Sequence, residues 1–264
     1  MIFRHKSRRE FLLMSKNKRN KAKGSPLLLV LELALAGVML FCLGKIGYTL
    51  LQYRKGADTY ESIRTEVTAP AGEKSEAAEE PGIDFAALQS LYPDAVAWLR
   101  CEGTVIDYPV MQAADNDYYL RRLPDGTWNM SGSLFLDYRC PADFSGTLSM
   151  IYGHNMNDDS MFACLENYTD QSWYNDHPAL ELSTPDADFS LPVLYGFEIP
   201  AVEWLDRGFD TGTDPAALVD YAAAHTTFVS STGWDGSSPL LALLTCTSHD
   251  DQVRYVVLCQ VQAS

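Results

Sequence analysis

The chain has 264 residues, enough for one sizeable domain with accessory segments, and a formal net charge of −15. The charge is unevenly spread: residues 1–25 hold nine Lys or Arg against one acid, and the rest of the chain carries 11 basic and 34 acidic side chains. A body that acidic lacks the basic surface a polyanion needs, which excludes nucleic acid as a partner.

Residues 1–25 read as a basic cytoplasmic N-terminus. Residues 27–44 (LLLVLELALAGVMLFCLG) follow as 18 residues with a single charge, Glu32. A membrane helix needs about 20 apolar residues, and residues 46–51 extend the run, so residues 26–51 are predicted to form a single-pass anchor. The many Leu offset Glu32, and Lys45 can snorkel to the interface. The upstream positive charge places the N-terminus in the cytoplasm and the body outside. A cleaved signal peptide competes with this reading, but Ala34-Leu35-Ala36, which resembles a cleavage site, sits inside the apolar run and not after it.

Residues 52–82 are predicted to be an extracytoplasmic stalk. Their first part is mixed in character and can continue as a helix. Residues 65–82 (TEVTAPAGEKSEAAEEPG) are rich in acids and breakers with no large apolar residue. The folded domain is expected at 83–264. A short helix is predicted from the capping residue Asp84 to a break before Pro93. Strand-length runs bounded by turn residues follow at 98–101, 104–110, 133–136, 147–152, 180–183, 191–197, 240–245 and 254–261. Helical patterns interrupt them at 160–168 and 215–228, the second opening on Pro215 after Asp214. The predicted class is mainly β: a closed or nearly closed barrel with peripheral helices, preceded by one transmembrane helix.

Of six cysteines, Cys42 lies in the apolar run; the other five are an odd number without metal-ligand spacing. No metal or cofactor is expected, and one exported thiol is either spare or reactive. The apolar run 240–245 ends at Cys246, and a polar turn leads to Arg254 at the start of the last strand. Antiparallel pairing across that turn brings Cys246 and Arg254 together, and the guanidinium favours the reactive thiolate. A second strand ends at Gly153, and His154 opens a loop rich in Asn and Asp. An imidazole is the usual partner of a reactive thiol. Alone, Cys246 reads as a buried small hydrophobe, the commonest fate of a free Cys. Chemistry alone does not separate His154 from His249, three residues after Cys246, as the base. His177 and His225 read as structural or solvated, and Cys101, Cys140, Cys164 and Cys259 as buried small residues.

Taken together, these pieces resemble the sortase family, class B. The family carries a strand-terminal TLxTC motif, here Leu243-Leu244-Thr245-Cys246, an Arg on the next strand, here Arg254, and a His in a GH dipeptide, here Gly153-His154 within YGHNM. The segments TVIDYPVMQ (104–112), NDYYL (116–120) and SLFLDYR (133–139) fit the same class. The chain departs at Leu244, where staphylococcal-type enzymes have Ser. The resemblance spans about residue 83 to the end and includes the membrane anchor. It implies an eight-stranded barrel, His154 over His249 as the base, and Asn116, Leu120 and Thr245 beside the substrate. It also implies a transpeptidase: Cys246 attacks after the Thr of a C-terminal sorting motif on a secreted protein, and an amine of a cell-wall precursor or pilin resolves the thioester in a Gram-positive envelope. A thiol peptidase hydrolysing the same motif and a non-catalytic, membrane-tethered wall-binding module are the alternatives.

Overall fold

The computed structural model describes residues 26–68, 82–212 and 214–264. The basic N-terminal 25 residues and most of the expected linker lie outside the described residues. The first element, α1 (Pro26–Val67), is 42 residues long, and its N-terminal part is apolar all round and unburied within the protein. That part is long and apolar enough to cross a membrane. The chain divides into two units between Tyr48 and Thr49.

The second unit begins earlier than the sequence predicts. Gly56, Tyr60, Ile63 and Val67 are buried, at the four- and three-residue spacing of one helix face. Tyr60 donates its hydroxyl to the Gly132 carbonyl at 2.6 Å. Asn129 donates to the Gln52 carbonyl at 2.9 Å, and Arg64 donates to the Asp107 carbonyl at 3.0 Å. The second compact unit starts at Thr49, and residues 52–67 of the segment expected as a stalk, the first part of which could continue as a helix, are helix with one face buried. The acids and breakers that suggest a stalk fall mainly after Val67, the last residue of α1.

A short helix, α2 (Phe85–Leu91), is capped by the Asp84 carboxylate, which accepts from the Ala87 amide. Strands β1 (Ala95–Arg100), β2 (Asp107–Met111), β3 (Leu134–Leu136), β4 (Leu148–Tyr152), β5 (Ala179–Ser183), β6 (Asp188–Pro200), β7 (Leu240–Cys246) and β8 (Val253–Gln260) form one sheet in the order β5-β1-β2-β3-β4-β7-β8-β6. Pairing of β5 with β6 closes it into an eight-stranded barrel. A two-residue strand, β9 (Gln262–Ala263), adds to β6. The β2–β3 and β4–β7 pairs are parallel and the other pairs antiparallel.

Peripheral helices α3 (Gln171–Asp176), α4 (Ala201–Asp206) and α5 (Pro215–His225) complete the domain. The sequence reading missed α3 and α4, each only six residues long. The helix expected at 160–168 is a 3-10 helix, Ala163–Thr169; Asp159 and Met161 just before it have positive φ and keep that segment in turns.

The apolar run of β7 has a direct explanation. Leu241 and Leu243 belong to the main core with Ile151, Tyr255 and Val257. Leu240, Ala242 and Leu244 belong to a second core with Trp204, Phe209, Leu218, Val256 and Leu258. Both faces of the strand are covered, so its sequence is continuous and not alternating.

Candidate active site

Strands β4 and β7 run parallel, with Tyr152 opposite Leu244, and the Gly153 amide donates to the Leu244 carbonyl at 3.1 Å. His154 and Cys246 each lie two residues beyond that rung, so both leave the barrel at the same end of neighbouring strands. On the other side of β7, Cys246 is directly opposite Arg254. Opposed residues of an antiparallel pair project to the same face. Cys246, His154 and Arg254 accordingly line one cleft of about 540 Å³ with Asn116, Leu120, Tyr152, Leu205 and Asp210.

Gly153 has a packing role. A Cβ there would lie 2.5 Å from Leu134 Cδ2 and 2.6 Å from Phe162 Cδ2, so no larger residue can precede His154 without moving the core. The half-buried His154 ring is held by Nε2, 2.7 Å from the Leu120 carbonyl. A carbonyl only accepts, so Nε2 carries the hydrogen and Nδ1 is the nitrogen left for proton exchange. Burial lowers the His154 pKa below the usual imidazole value, the nearby Arg121 charge lowers it further, and the Leu120 carbonyl opposes both. The imidazole is therefore mainly uncharged at neutral pH.

Arg254 donates from one Nη to the Asp251 carbonyl at 2.6 Å and to its neighbour's at 3.4 Å. Among the described residues its Nε and other Nη make no hydrogen bond, so one edge of the guanidinium is available to the cleft. His249, the rival base, is 59% exposed, sits 3.8 Å from Glu198 and is not among the cleft residues.

The residues expected beside the substrate divide in character. Leu120 lines the cleft with an exposed side chain, and its carbonyl positions His154. Asn116 also lines it, but both ends of its amide are engaged: Nδ2 donates to Asp137 and Oδ1 accepts from the Tyr138 amide. Thr245 borders the cleft but is only 2% exposed, and among the described residues its hydroxyl has no hydrogen-bond partner. The other cysteines of the barrel lie elsewhere. Burial pushes the thiols of Cys101, Cys140 and Cys259 up, and that of Cys164 to about 12, so they stay protonated.

The chain is 30% identical over 225 residues to sortase B of Listeria monocytogenes, an alignment covering 84% of this chain and 90% of that protein. The chain belongs to the sortase B family. Among solved structures, a Bacillus anthracis protein similar to sortase B superposes with a TM-score of 0.68 at 26% identity, covering 80% of this chain and 98% of that one. A Streptococcus pyogenes class B sortase involved in pilus biogenesis gives a TM-score of 0.62 at 27% identity, covering 69% and 99%. No family model matches the chain. Membership in the sortase B family makes the chain a sortase-type cysteine transpeptidase.

Two networks around this sortase site were invisible in the sequence. Fully buried Asp137 accepts from the Arg139 side chain at 2.8 and 2.9 Å, from Asn116 at 2.9 Å and from the Tyr152 hydroxyl at 3.2 Å. Burial pushes its carboxyl up, but the Arg139 and Asn116 hydrogen bonds outweigh that, and the net direction is down. Arg139 also binds Asp210 at 2.8 Å, which ties the 3-10 turn Phe209–Thr211 to the cleft floor. In the second network, Asn155 donates to Glu166 and to the Cys246 carbonyl. The DYR run was legible as a family segment, but nothing local indicates that its Asp is buried.

Proposed function

We propose that this sortase is anchored by the N-terminal part of α1, with its N-terminus in the cytoplasm and its barrel outside the cell. It cleaves a C-terminal sorting motif of a secreted protein after Thr and transfers the protein to an amine of the cell wall or a pilin. The observation that carries this reading is the shared cleft: Cys246 in register with Arg254 on one side, and His154 at the end of the parallel neighbour on the other. A Staphylococcus aureus sortase B is known in complex with substrate, and a sortase B in complex with triglycine, which supports a peptide donor and an amine acceptor here.

Nδ1 of His154 takes the proton of the Cys246 thiol as the sulfur adds to the carbonyl carbon after Thr, and the free guanidinium edge of Arg254 donates to the developing oxyanion. The C–N bond breaks as Nδ1 of His154 delivers a proton to the leaving amine, and a thioester remains. The incoming amine attacks the thioester, loses a proton to His154, and the Cys246 thiolate leaves. The Leu120 carbonyl holds Nε2 throughout, so the ring is already oriented for both transfers.

The test uses a pool of internally quenched peptides with Thr fixed centrally and triglycine as acceptor. Mass spectrometry should find a thioester on Cys246 and a triglycine-ligated product, and Cys246→Ala should yield neither. Turnover by Cys246→Ala would sink the assignment. Hydrolysed product without ligation would favour a peptidase, and an inert Cys246 a binding module.

A further inference from the structure

The proposed nucleophile ends strand β7 and the proposed base opens the loop after β4, and one carboxylate ties together the segments that follow them. Asn155, next to His154, donates from Nδ2 to the Cys246 carbonyl at 3.0 Å and to Glu166 Oε2 at 2.8 Å. The other oxygen, Oε1, accepts from the Ser248 amide at 2.7 Å. Ser248 is two residues past Cys246, in the turn between β7 and β8. Glu166 itself is half-buried on the 3-10 helix Ala163–Thr169. A short helix packed against the barrel therefore reaches both the loop that begins at His154 and the turn that follows Cys246.

We infer that Glu166 is a positioning residue for transpeptidation, acting through Asn155 to hold the Cys246 backbone in register with the His154 loop. The inference rests on the assignment of Cys246 and His154 to the chemistry. Its physical core is acceptor count. Two donors, the Asn155 amide and the Ser248 N–H, converge on one side chain, and an ionised carboxylate offers an acceptor to each. A glutamine of the same size offers one acceptor and one donor. If its oxygen meets Ser248, its NH2 faces the NH2 of Asn155. Turning the Asn155 amide over would relieve that contact but aim its oxygen at the Cys246 carbonyl. No arrangement of glutamine satisfies all three groups, so the isostere that preserves packing still releases the nucleophile's backbone. Such hydrogen bonds to a charged group are stronger than neutral ones.

The experiment compares Glu166→Gln, Asn155→Ala and the double variant with the full chain in detergent micelles. The substrate is the internally quenched peptide that the wild type cleaves fastest from the central-Thr pool, with triglycine as acceptor. Misplacement of reacting groups by an ångström can cost about a hundredfold, so each single variant should lose roughly ten- to a hundredfold in kcat with KM little changed. The double variant should be no worse than the singles, because both act through one network. Amide exchange at Ser248 should speed up in Glu166→Gln, a readout independent of substrate. Wild-type kcat together with wild-type Ser248 exchange in Glu166→Gln overturns the inference, as does a loss confined to KM. Should Glu166→Gln not unfold cooperatively, wild-type kcat in Asn155→Ala overturns it alone. Turnover by Cys246→Ala, or no cleaved peptide in the pool, counts against the proposed function instead, and Ser248 exchange still decides whether Glu166 clamps the turn.

Discussion

Replacing Ile63 by Ala tests whether the end of α1 is part of the folded domain. Ile63 is 0% exposed and packs in the main core with Tyr60 and Val67. The substitution removes three carbon groups, each worth about 0.8 kcal/mol on burial, or about 2.4 kcal/mol of transfer free energy. The cavity left behind adds to that, and buried Ile-to-Ala changes typically cost about 2–5 kcal/mol. The helix stays ordered in both proteins, so its conformational entropy cancels in the comparison. On a stalk the same change would stay within about 0.5 kcal/mol. The assay is urea unfolding of a chain beginning at Thr49, with Ser62→Ala on the exposed face of the same helix as control. With an m-value of about 2–3 kcal/mol/M, Ile63→Ala should lower the midpoint by roughly 1 M or more at unchanged m. A midpoint that moves no further than that of Ser62→Ala would refute the packing argument. By the same logic a chain starting at Ile83 leaves the site vacated by Tyr60, Ile63 and Val67 open and should be much less stable.

Other outcomes follow from the site. His154→Ala should cost about 10²–10⁴-fold in turnover, the usual range for general acid–base catalysis, and His249→Ala little, measured side by side with the same peptide. Arg254→Lys should fall closer to Arg254→Ala than to wild type, because an ammonium keeps the charge but lacks the fork, and losing an oxyanion donor costs about 10²–10³-fold; near-full transpeptidation in the Lys variant would show that Arg254 acts through charge. Arg139→Met leaves the fully buried Asp137 charge without its cation and should destabilise by about 3–5 kcal/mol in urea unfolding. His154 has its folded pKa below the unfolded value of about 6.5, so the unfolded chain takes up the proton first on acidification. Its contribution to stability is present above that pH and lost as pH falls towards the folded pKa, a slope that His154→Gln should remove from a pH series of thermal midpoints.

Most of the reactive centre was legible because it is written at strand ends. An unbroken apolar run ending in Cys246, and a polar turn leading to Arg254, already specify a hairpin, and a hairpin specifies who stands opposite whom. The eight strand runs of the barrel could likewise be read off, although their bounds shifted: β2 starts at Asp107 because residues 101–104 form a turn around Gly103, whose φ is positive. Helix α1 was legible in its apolar half, where composition alone is decisive.

What local sequence could not supply was anything that depends on a partner distant in the chain. Tyr60, Ile63 and Val67 look ordinary among polar neighbours until Gly132 and Asp107 come to meet their helix. Asp137 looks like a surface acid until Asn116, Arg139 and Tyr152 surround it. Asn116, which lines the cleft, has its amide held by that same carboxylate. The sequence by itself singled out Cys246, the hairpin that carries it and a helix apolar enough to cross a membrane, since each rests on periodicity, turn chemistry or hydropathy within a short window. Only the tertiary structure decided which residues of α1 pack in the core, which nitrogen of His154 is free, and that Glu166 bridges Asn155 and the turn after Cys246, because burial and hydrogen-bond satisfaction belong to the closed barrel and not to any segment of it.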